Sequence, residues 1–169
     1  MSMIGIFRRL TDNDLSQLLS NPTLVHDYLA LEEPADGFGA FVEIDVDKAW
    51  HGTHFLLTGS AWGGDPPWNF IVAGGSTIGD EDVGYGPARG FTSTEVREIA
   101  NALESLTPEQ LSQRFDPKAM MDAEIYPEIW DRPPAEDDTR SYVIDYFDSL
   151  RDFVAGAAAS GEAWLVYLA

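Results

Sequence analysis

The sequence predicts an α/β fold in which a small central mixed sheet carries helices on both faces, as a three-layer α/β/α sandwich. Predicted helices precede and follow the predicted strands, and the first and last strands are apolar on both faces. No linker is long enough to divide the chain, and its 169 residues fit one core. We therefore predict a single domain over residues 1–169.

The N-terminal part of the chain is predicted to alternate between extended and helical segments. Its first residues alternate apolar and polar side chains as a strand does, and Thr11 is a suitable N-cap for the following helix. Asn21 and Pro22 place a capping residue before proline at the first helical position. These patterns predict a strand at residues 3–9, helices from residue 11 and from residue 21 to about residue 33, a loop at residues 34–39, and a short strand or extended segment at residues 40–44.

The middle of the chain carries one clear helix and two segments that are rich in glycine. A cap at Asp45 or Asp47 begins a helix that ends at Gly59. The apolar run at residues 69–75 predicts a short buried strand, and the glycine-rich stretch at residues 74–90 predicts a loop.

Helix starts are well marked in the C-terminal half, where capping residues precede proline or stand three positions before an acid or amide. A long apolar stripe then predicts a final helix at residues 139–159, and the last apolar run predicts a strand at residues 162–168. The capping signals are Thr92 with Glu95, Thr107-Pro108 with Gln110, and Asp116-Pro117, the last of which predicts a helix to about Trp130.

The charge balance excludes several classes of function. With 29 acidic and 10 basic side chains the net charge is −19, so nucleic acid and anionic membranes are repelled, whereas a basic protein partner is attracted. There is no cysteine, which excludes disulfides, thiolate metal sites and a cysteine nucleophile. No signal peptide or membrane span is recognisable, so we expect a cytoplasmic location.

Residues 45–62 contain the densest group of side chains suited to metal binding or proton transfer. On a helix, His51 and His54 share a side and suit one metal ion, with Asp47 one turn earlier as a third ligand. The usual zinc-binding helix spaces its histidines four apart and follows the first with glutamate, where this sequence has glycine. The competing interpretation places His54 in the core beside Trp50, hydrogen-bonded to backbone, and we predict no metal site.

The segment at residues 73–90 does not match a nucleotide-binding or calcium-binding loop. Its paired glycines lack the Gly-Lys-Ser/Thr ending, and its acidic run repels phosphate. Its oxygen-bearing side chains do not alternate as a calcium loop requires. Two glycines and Pro87 instead predict a rigid turn that presents Tyr85 and Arg89 for recognition. The competing interpretation is that Arg89 pairs with a carboxylate and Tyr85 packs against the protein.

Several blocks of sequence together form a recognisable pattern. They are Met3-Ile4-Gly5 with Phe7-Arg8-Arg9, DVDKAWH from Asp45 to His51, HFLLTG from His54 to Gly59, Gly74-Gly75, GYGPAR from Gly84 to Arg89, and Glu95-Val96. With these blocks the chain resembles the YfbM-like proteins, a bacterial family of unknown function. The resemblance implies a three-layer α/β/α fold and provides no catalytic residues to carry over.

Two functions follow as hypotheses. The first is a non-catalytic, acidic protein that covers a basic partner, as an immunity or inhibitor protein does. The second is a small enzyme or small-molecule binder whose pocket joins the helix at residues 47–54 to the loop at residues 84–89. Neither hypothesis assigns a catalytic residue or a cofactor. The residues of the candidate pocket are Asp47, Lys48, Trp50, His51, His54, Tyr85 and Arg89.

Overall fold

The computed structural model describes residues 2–32 and 42–169, which form one sheet with helices on both faces. The strands are β1 (Gly5–Leu10), β2 (Glu43–Asp45), β3 (Ser76–Asp82), β4 (Pro87–Phe91) and β5 (Ala163–Leu168). The helices are α1 (Asp12–Ser20), α2 (Val25–Ala30), α3 (Trp50–Thr58), α4 (Ser93–Glu104), α5 (Pro108–Ser112), α6 (Pro117–Asp122) and α7 (Thr139–Ala159). Short 3-10 turns at Pro22–Leu24 and Asp47–Ala49 lead into α2 and α3.

The terminal strands lie side by side within a sheet whose pairings are antiparallel. The order across the sheet is β2-β1-β5-β4-β3, and Phe7 of β1 lies opposite Val166 of β5. The predicted α/β class and the inner position of the terminal strands are confirmed. The prediction of a mixed sheet is wrong, because strands covered by helices on both faces are apolar on both faces whichever way their neighbours run.

Each face of the sheet carries its own layer of helices and its own hydrophobic core. On one face, Phe7 and Trp164 pack among buried side chains of α3, α4 and α7. On the other face, Leu10 and Leu165 pack against Leu15 of α1. Successive strand residues point to opposite faces, so Trp164 and Leu165 belong to different cores. The predicted three-layer arrangement is therefore present.

Capping side chains begin the helices of the C-terminal half where the sequence predicts them. The hydroxyl groups of Thr92 and Thr107 accept hydrogen bonds from the backbone amides of Glu95 and Gln110, and both capping boxes are complete. Helix α7 begins and ends at the predicted residues. Neither α7 nor any other helix in the described part of the chain is long and apolar enough to cross a membrane.

The segment between α3 and α4 differs most from the prediction. Residues 69–75, predicted as a buried strand, form turns to residue 72 and irregular bends after it, although apolar side chains among them are buried. The loop predicted at residues 74–90 contains the β3–β4 hairpin. Strand β3 lies at the sheet edge with Ile78 as its one buried residue, so its sequence has no hydrophobic period to detect. Its carboxylates at residues 80–82 oppose pairing with strands of other molecules.

Helix α6 is shorter than predicted. The cap at Asp116 is correct, because its carboxylate accepts a hydrogen bond from the backbone in the first turn. The helix ends at Asp122 rather than near Trp130, since Glu124 has a positive φ of 53° and Pro127 removes an amide donor. The prediction that the second helix runs to about residue 33 is wrong, because α2 ends at Ala30 and the backbone of Leu31 is extended. Predictions for the loop at residues 34–39 and the start of the segment at residues 40–44 lie outside the described residues.

Candidate functional site

A cleft of about 270 Å³ lies where α3, the turns that follow it, the β3–β4 hairpin and β5 meet. Its walls combine aromatic rings, aliphatic side chains and one guanidinium group. The predicted site residues Trp50, Tyr85 and Arg89 line this cleft together, whereas the other predicted residues lie elsewhere. The lining residues are Trp50, Trp62, Ile71, Val72, Thr77, Tyr85, Pro87, Arg89, Val166, Tyr167 and Leu168.

An aromatic stack supports one wall of the cleft. The rings of Trp50 and His51 are nearly parallel, with centroids 4.8 Å apart, and the ring of Trp62 lies 4.4 Å from that of His51. Trp50 is fully buried, but 63% of Trp62 is exposed. Sequence reasoning missed Trp62, because it follows the helix cap at Gly59 in a segment without periodicity.

The imidazole of His51 is fully used by backbone groups. Its Nδ1 accepts a hydrogen bond from the Tyr126 amide at 2.9 Å, so its Nε2–H donates to the Ala61 carbonyl at 2.8 Å. These partners fix one neutral tautomer, and burial lowers the pKa of His51 below its ordinary value. His51 therefore connects α3 to two other segments, and neither ring nitrogen is free to bind a metal or transfer a proton.

His54 is a core histidine, as the competing interpretation of the sequence holds. It is fully buried, its Nε2 lies 3.3 Å from the Thr58 hydroxyl, and its Nδ1 has no partner among the described residues. Burial, helped by the neighbouring His51 and Arg89, lowers the pKa of His54 to about 4. His51 also has a structural role, because both of its ring nitrogens are bonded to backbone.

The depressed pKa of His54 predicts a loss of stability in mild acid. The unfolded histidine titrates near 6.5 and the folded one near 4, so the unfolded chain binds the proton first as the pH falls. Between about pH 7 and about pH 5, urea denaturation should show a loss from His54 of about 1 to 2 kcal/mol, so the total loss should be smaller by that amount in His54→Gln, where His51 still contributes. His26→Gln, at an exposed histidine, should retain the full loss. The same pH dependence in wild type and His54→Gln would contradict this assignment.

Arg89 is held by carbonyl oxygens rather than by a carboxylate. Its terminal nitrogens donate to the backbone carbonyls of the turns opposite, including Ala73 at 2.6 Å and Phe70 at 3.2 Å. The remaining acceptors are the carbonyls of Ile71 and Gly74. The backbone carbonyls at residues 70–74 thus accept hydrogen bonds from the Arg89 side chain and not from a neighbouring strand. This explains why the segment is not a strand. The predicted ion pair of Arg89 with a carboxylate is wrong.

The hairpin turn that carries Tyr85 is fixed by local hydrogen bonds. The carboxylate of Asp82 accepts from the amides of Gly84 and Gly86 at 2.9 and 3.0 Å, and the Tyr85 amide donates to the Leu168 carbonyl at 3.0 Å. Gly84 approaches the Leu168 backbone too closely for a side chain. Tyr85 stays 40% exposed at the cleft. The prediction that the same turn presents Arg89 is wrong, because Arg89 lies within β4 and its guanidinium is bonded to backbone carbonyls.

Asp47 and Lys48 lie apart from the cleft. The Asp47 carboxylate accepts a hydrogen bond from the Tyr142 hydroxyl of α7 at 2.7 Å, and its backbone has a positive φ of 47°. The idea that Asp47 joins the two histidines around a metal is wrong, because Asp47 binds α7 and His51 binds backbone. Among the described residues, no group of three histidine, aspartate or glutamate side chains is arranged to hold a metal ion.

A larger cavity of about 840 Å³ lies between α6 and the start of α7, where no sequence prediction placed a site. Phe115 and Trp130 form part of its apolar wall. Its arginines already have protein partners, since Arg132 pairs with Asp137 at 2.9 Å and Arg140 lies over the Phe115 ring. Its lining holds five aspartates and three basic residues, two of which are already in ion pairs, so its chemistry favours no particular ligand.

Comparisons with known proteins give one consistent relationship. The family model described as "Domain of unknown function (DUF1877)" matches residues 1–167. Protein YfbM of Escherichia coli (strain K12) is 29% identical over 134 residues, which cover 76% of this chain and 75% of YfbM. The crystal structure of YfbM from Escherichia coli, a protein of unknown function, matches with a TM-score of 0.74 at 24% identity, covering 98% of this chain and 99% of that chain. The resemblance seen in the sequence is confirmed.

Proposed function

We propose that this chain, which belongs to the DUF1877 family of unknown function, is a non-catalytic protein of the bacterial cytoplasm that binds a basic protein partner. The observation that supports this proposal is how the chain uses its few cations. Arg89, Arg114 and Arg151 donate to backbone carbonyls and not to carboxylates. Because these cations bond to uncharged carbonyls, they do not pair with the acidic side chains.

The excess of unpaired carboxylates is large. In the described part of the chain, ion pairs with arginine or lysine involve Glu43, Asp122, Asp137 and Glu162. The sequence contains 29 acidic residues against 10 basic ones, so most carboxylates lack such a partner. A field of this sign attracts a basic protein and speeds its association.

One surface combines exposed carboxylates with aromatic side chains. Tyr142 and Tyr146 of α7 make an edge-to-face pair and are half-buried beside Asp45 and Asp47, whose charges raise the pKa of Tyr146 after the larger effect of burial. Tyrosine is enriched in protein interfaces because it offers a large rigid ring and a polar end. We define the acidic face by exposed Asp145, Asp148 and Asp152, which share one side of α7.

The two histidines best suited to catalysis, His51 and His54, have structural roles, which supports a non-catalytic function. A general base needs a ring nitrogen within reach of substrate, but both nitrogens of His51 are bonded to backbone. His54 is fully buried. A binding protein needs no such group, so the proposal accounts for the absence of a complete catalytic set among the described residues.

The experiment compares two variants that change the net charge equally. Proteins captured on the wild-type chain from a bacterial extract at low salt are identified, and the affinity of the captured basic protein is measured. Asp145→Asn/Asp148→Asn/Asp152→Asn should weaken this affinity about tenfold or more, since opposed charges at an interface contribute to both rate and affinity. Asp27→Asn/Asp80→Asn/Glu109→Gln, exposed elsewhere, should weaken it less than about threefold.

Two results would overturn the proposal. Equal losses in the two triple variants would mean that only the overall charge attracts the partner. Capture of proteins with no bias towards basic ones would remove the electrostatic reason for binding.

A second candidate function, a small-molecule binder, is favoured by the cleft described above. It retains three residues of the predicted pocket, Trp50, Tyr85 and Arg89. Concave, mostly apolar sites with one placed polar group are typical of ligand binding. This function and the binding of a basic partner involve different surfaces.

A further inference from the structure

We propose that the cleft between α3 and the β3–β4 hairpin binds a small planar anion, with its ring against Trp62 and Tyr85 and its acid group facing Arg89. The inference concerns the cleft alone and does not depend on the acidic face. It follows from the sign of the charge in the cleft, the exposure of its rings and its size.

The cleft has the opposite electrostatic character to the chain that surrounds it. The described residues that line it include no aspartate or glutamate, although the net charge of the chain is −19. Its one charged residue is Arg89. Carbonyl oxygens satisfy the donors of this guanidinium but carry no net charge to cancel its own. A carboxylate or a similar anion in the cleft would supply the negative charge that opposes the guanidinium.

Two aromatic side chains at the cleft are unusually exposed for their size. Trp62 is 63% exposed and Tyr85 is 40% exposed. The Trp62 ring lies 4.4 Å from the His51 ring at an angle of 40°, His51 is fixed by two backbone hydrogen bonds, and the Tyr85 backbone is bonded to β5. Exposed rings on anchored backbone favour a flat apolar partner.

The size of the cleft limits the ligand to one or two rings. Its volume of about 270 Å³ lies just below the range of sites for drug-sized molecules. The walls are already built, because Arg89 fixes the turns at residues 70–74 and Asp82 fixes the hairpin turn. Little ordering is then needed on binding, which preserves affinity for a small ligand.

The test compares three probes of the same ring and different charge. Indole-3-acetate, its neutral amide and the cation tryptamine are titrated into the full chain, and the side-chain N–H signals of the five tryptophans are followed by NMR. We expect the anion to shift the Trp62 signal and to bind about tenfold more tightly than the amide, with tryptamine weakest. Equal affinity for all three probes would overturn the charge argument.

Variants locate the site without relying on Arg89, whose replacement affects folding. Tyr85→Ala should weaken binding of indole-3-acetate about tenfold, and Leu24→Ala, at a 41% exposed leucine in the opposite helix layer, should leave it unchanged. Trp62→Ala should weaken the binding of indole-3-acetate by a similar factor. An unchanged affinity in both aromatic variants, or anion-induced shifts confined to Trp130 at the other cavity, would overturn the proposal.

Discussion

Replacing Arg89 by methionine is expected to lower the free energy of unfolding by about 3 kcal/mol or more, because hydrogen bonds from a charged donor are each worth about 1.5 to 3 kcal/mol. The guanidinium donates to carbonyls of Phe70, Ile71, Ala73 and Gly74, and it lies over the ring of Phe91. Methionine keeps much of the aliphatic packing but leaves these carbonyls without a donor. The turns at residues 70–74 should then loosen as a unit.

Urea denaturation measures this effect, and a second arginine provides the matched control. Arg114 donates to a single carbonyl, that of Leu56 at 3.1 Å, so Arg114→Met should lose about 1 kcal/mol. Arg89→Lys keeps the charge but loses the planar fork and should fall between wild type and Arg89→Met. Equal losses for Arg89→Met and Arg114→Met would show that the additional hydrogen bonds of Arg89 to carbonyls contribute little to stability.

Gly52→Ala is expected to lower the free energy of unfolding by about 3 kcal/mol, the upper part of the range for overpacked cores. Alanine normally stabilises a helix relative to glycine by about 1 kcal/mol, so the predicted sign is opposite to that of helix propensity. A Cβ at residue 52 would lie 2.5 Å from Cη2 and 2.8 Å from Cζ2 of Trp130. Trp130 is buried and its indole N–H donates to the Ile125 carbonyl at 2.7 Å, so the ring cannot easily move.

A control variant and a second substitution at Trp130 distinguish this clash from a general effect on stability of replacing glycine within a helix. The nearest neighbour of a Cβ at residue 156 in α7 is the guanidinium of Arg9, which can shift at the cost of a long hydrogen bond to the Phe153 carbonyl at 3.3 Å. The stability of Gly156→Ala should therefore stay within about 1 kcal/mol of wild type. Trp130→Phe removes the atoms that clash, so Gly52→Ala should be less harmful in that background than alone. Additive effects of the two substitutions would contradict the proposed contact.

Local signals explain which parts of the fold the sequence predicts. Caps such as Thr92 and Thr107 act within one helical turn, and α7 carries an uninterrupted apolar stripe. The β3–β4 hairpin was missed because β3 is a polar edge strand. The turns at residues 69–75 were missed because their hydrogen-bonding partner, Arg89, lies outside the segment, and no local pattern reports it.

The sequence predicted some of the residues that line the cleft, but not the chemical role of the histidines. Trp50, Tyr85 and Arg89 do meet in one cleft. The histidines suggested a metal or proton transfer, yet His51 is bonded to Tyr126, which is 75 residues away in the sequence. Such long-range partners decide whether a polar side chain is free, and helical spacing alone carries no information about them.

The acidic outer strands restrict how any partner can dock. Both edges of the sheet carry carboxylates, Glu43 and Asp45 on β2 and residues 80–82 on β3. A peptide that adds a strand to a sheet must place its backbone against such an edge, and the carboxylates there repel an acidic peptide. A second copy of this acidic chain is therefore a poor partner for strand addition. A basic segment would be attracted to the same edges, so these strands select partners by the sign of their charge.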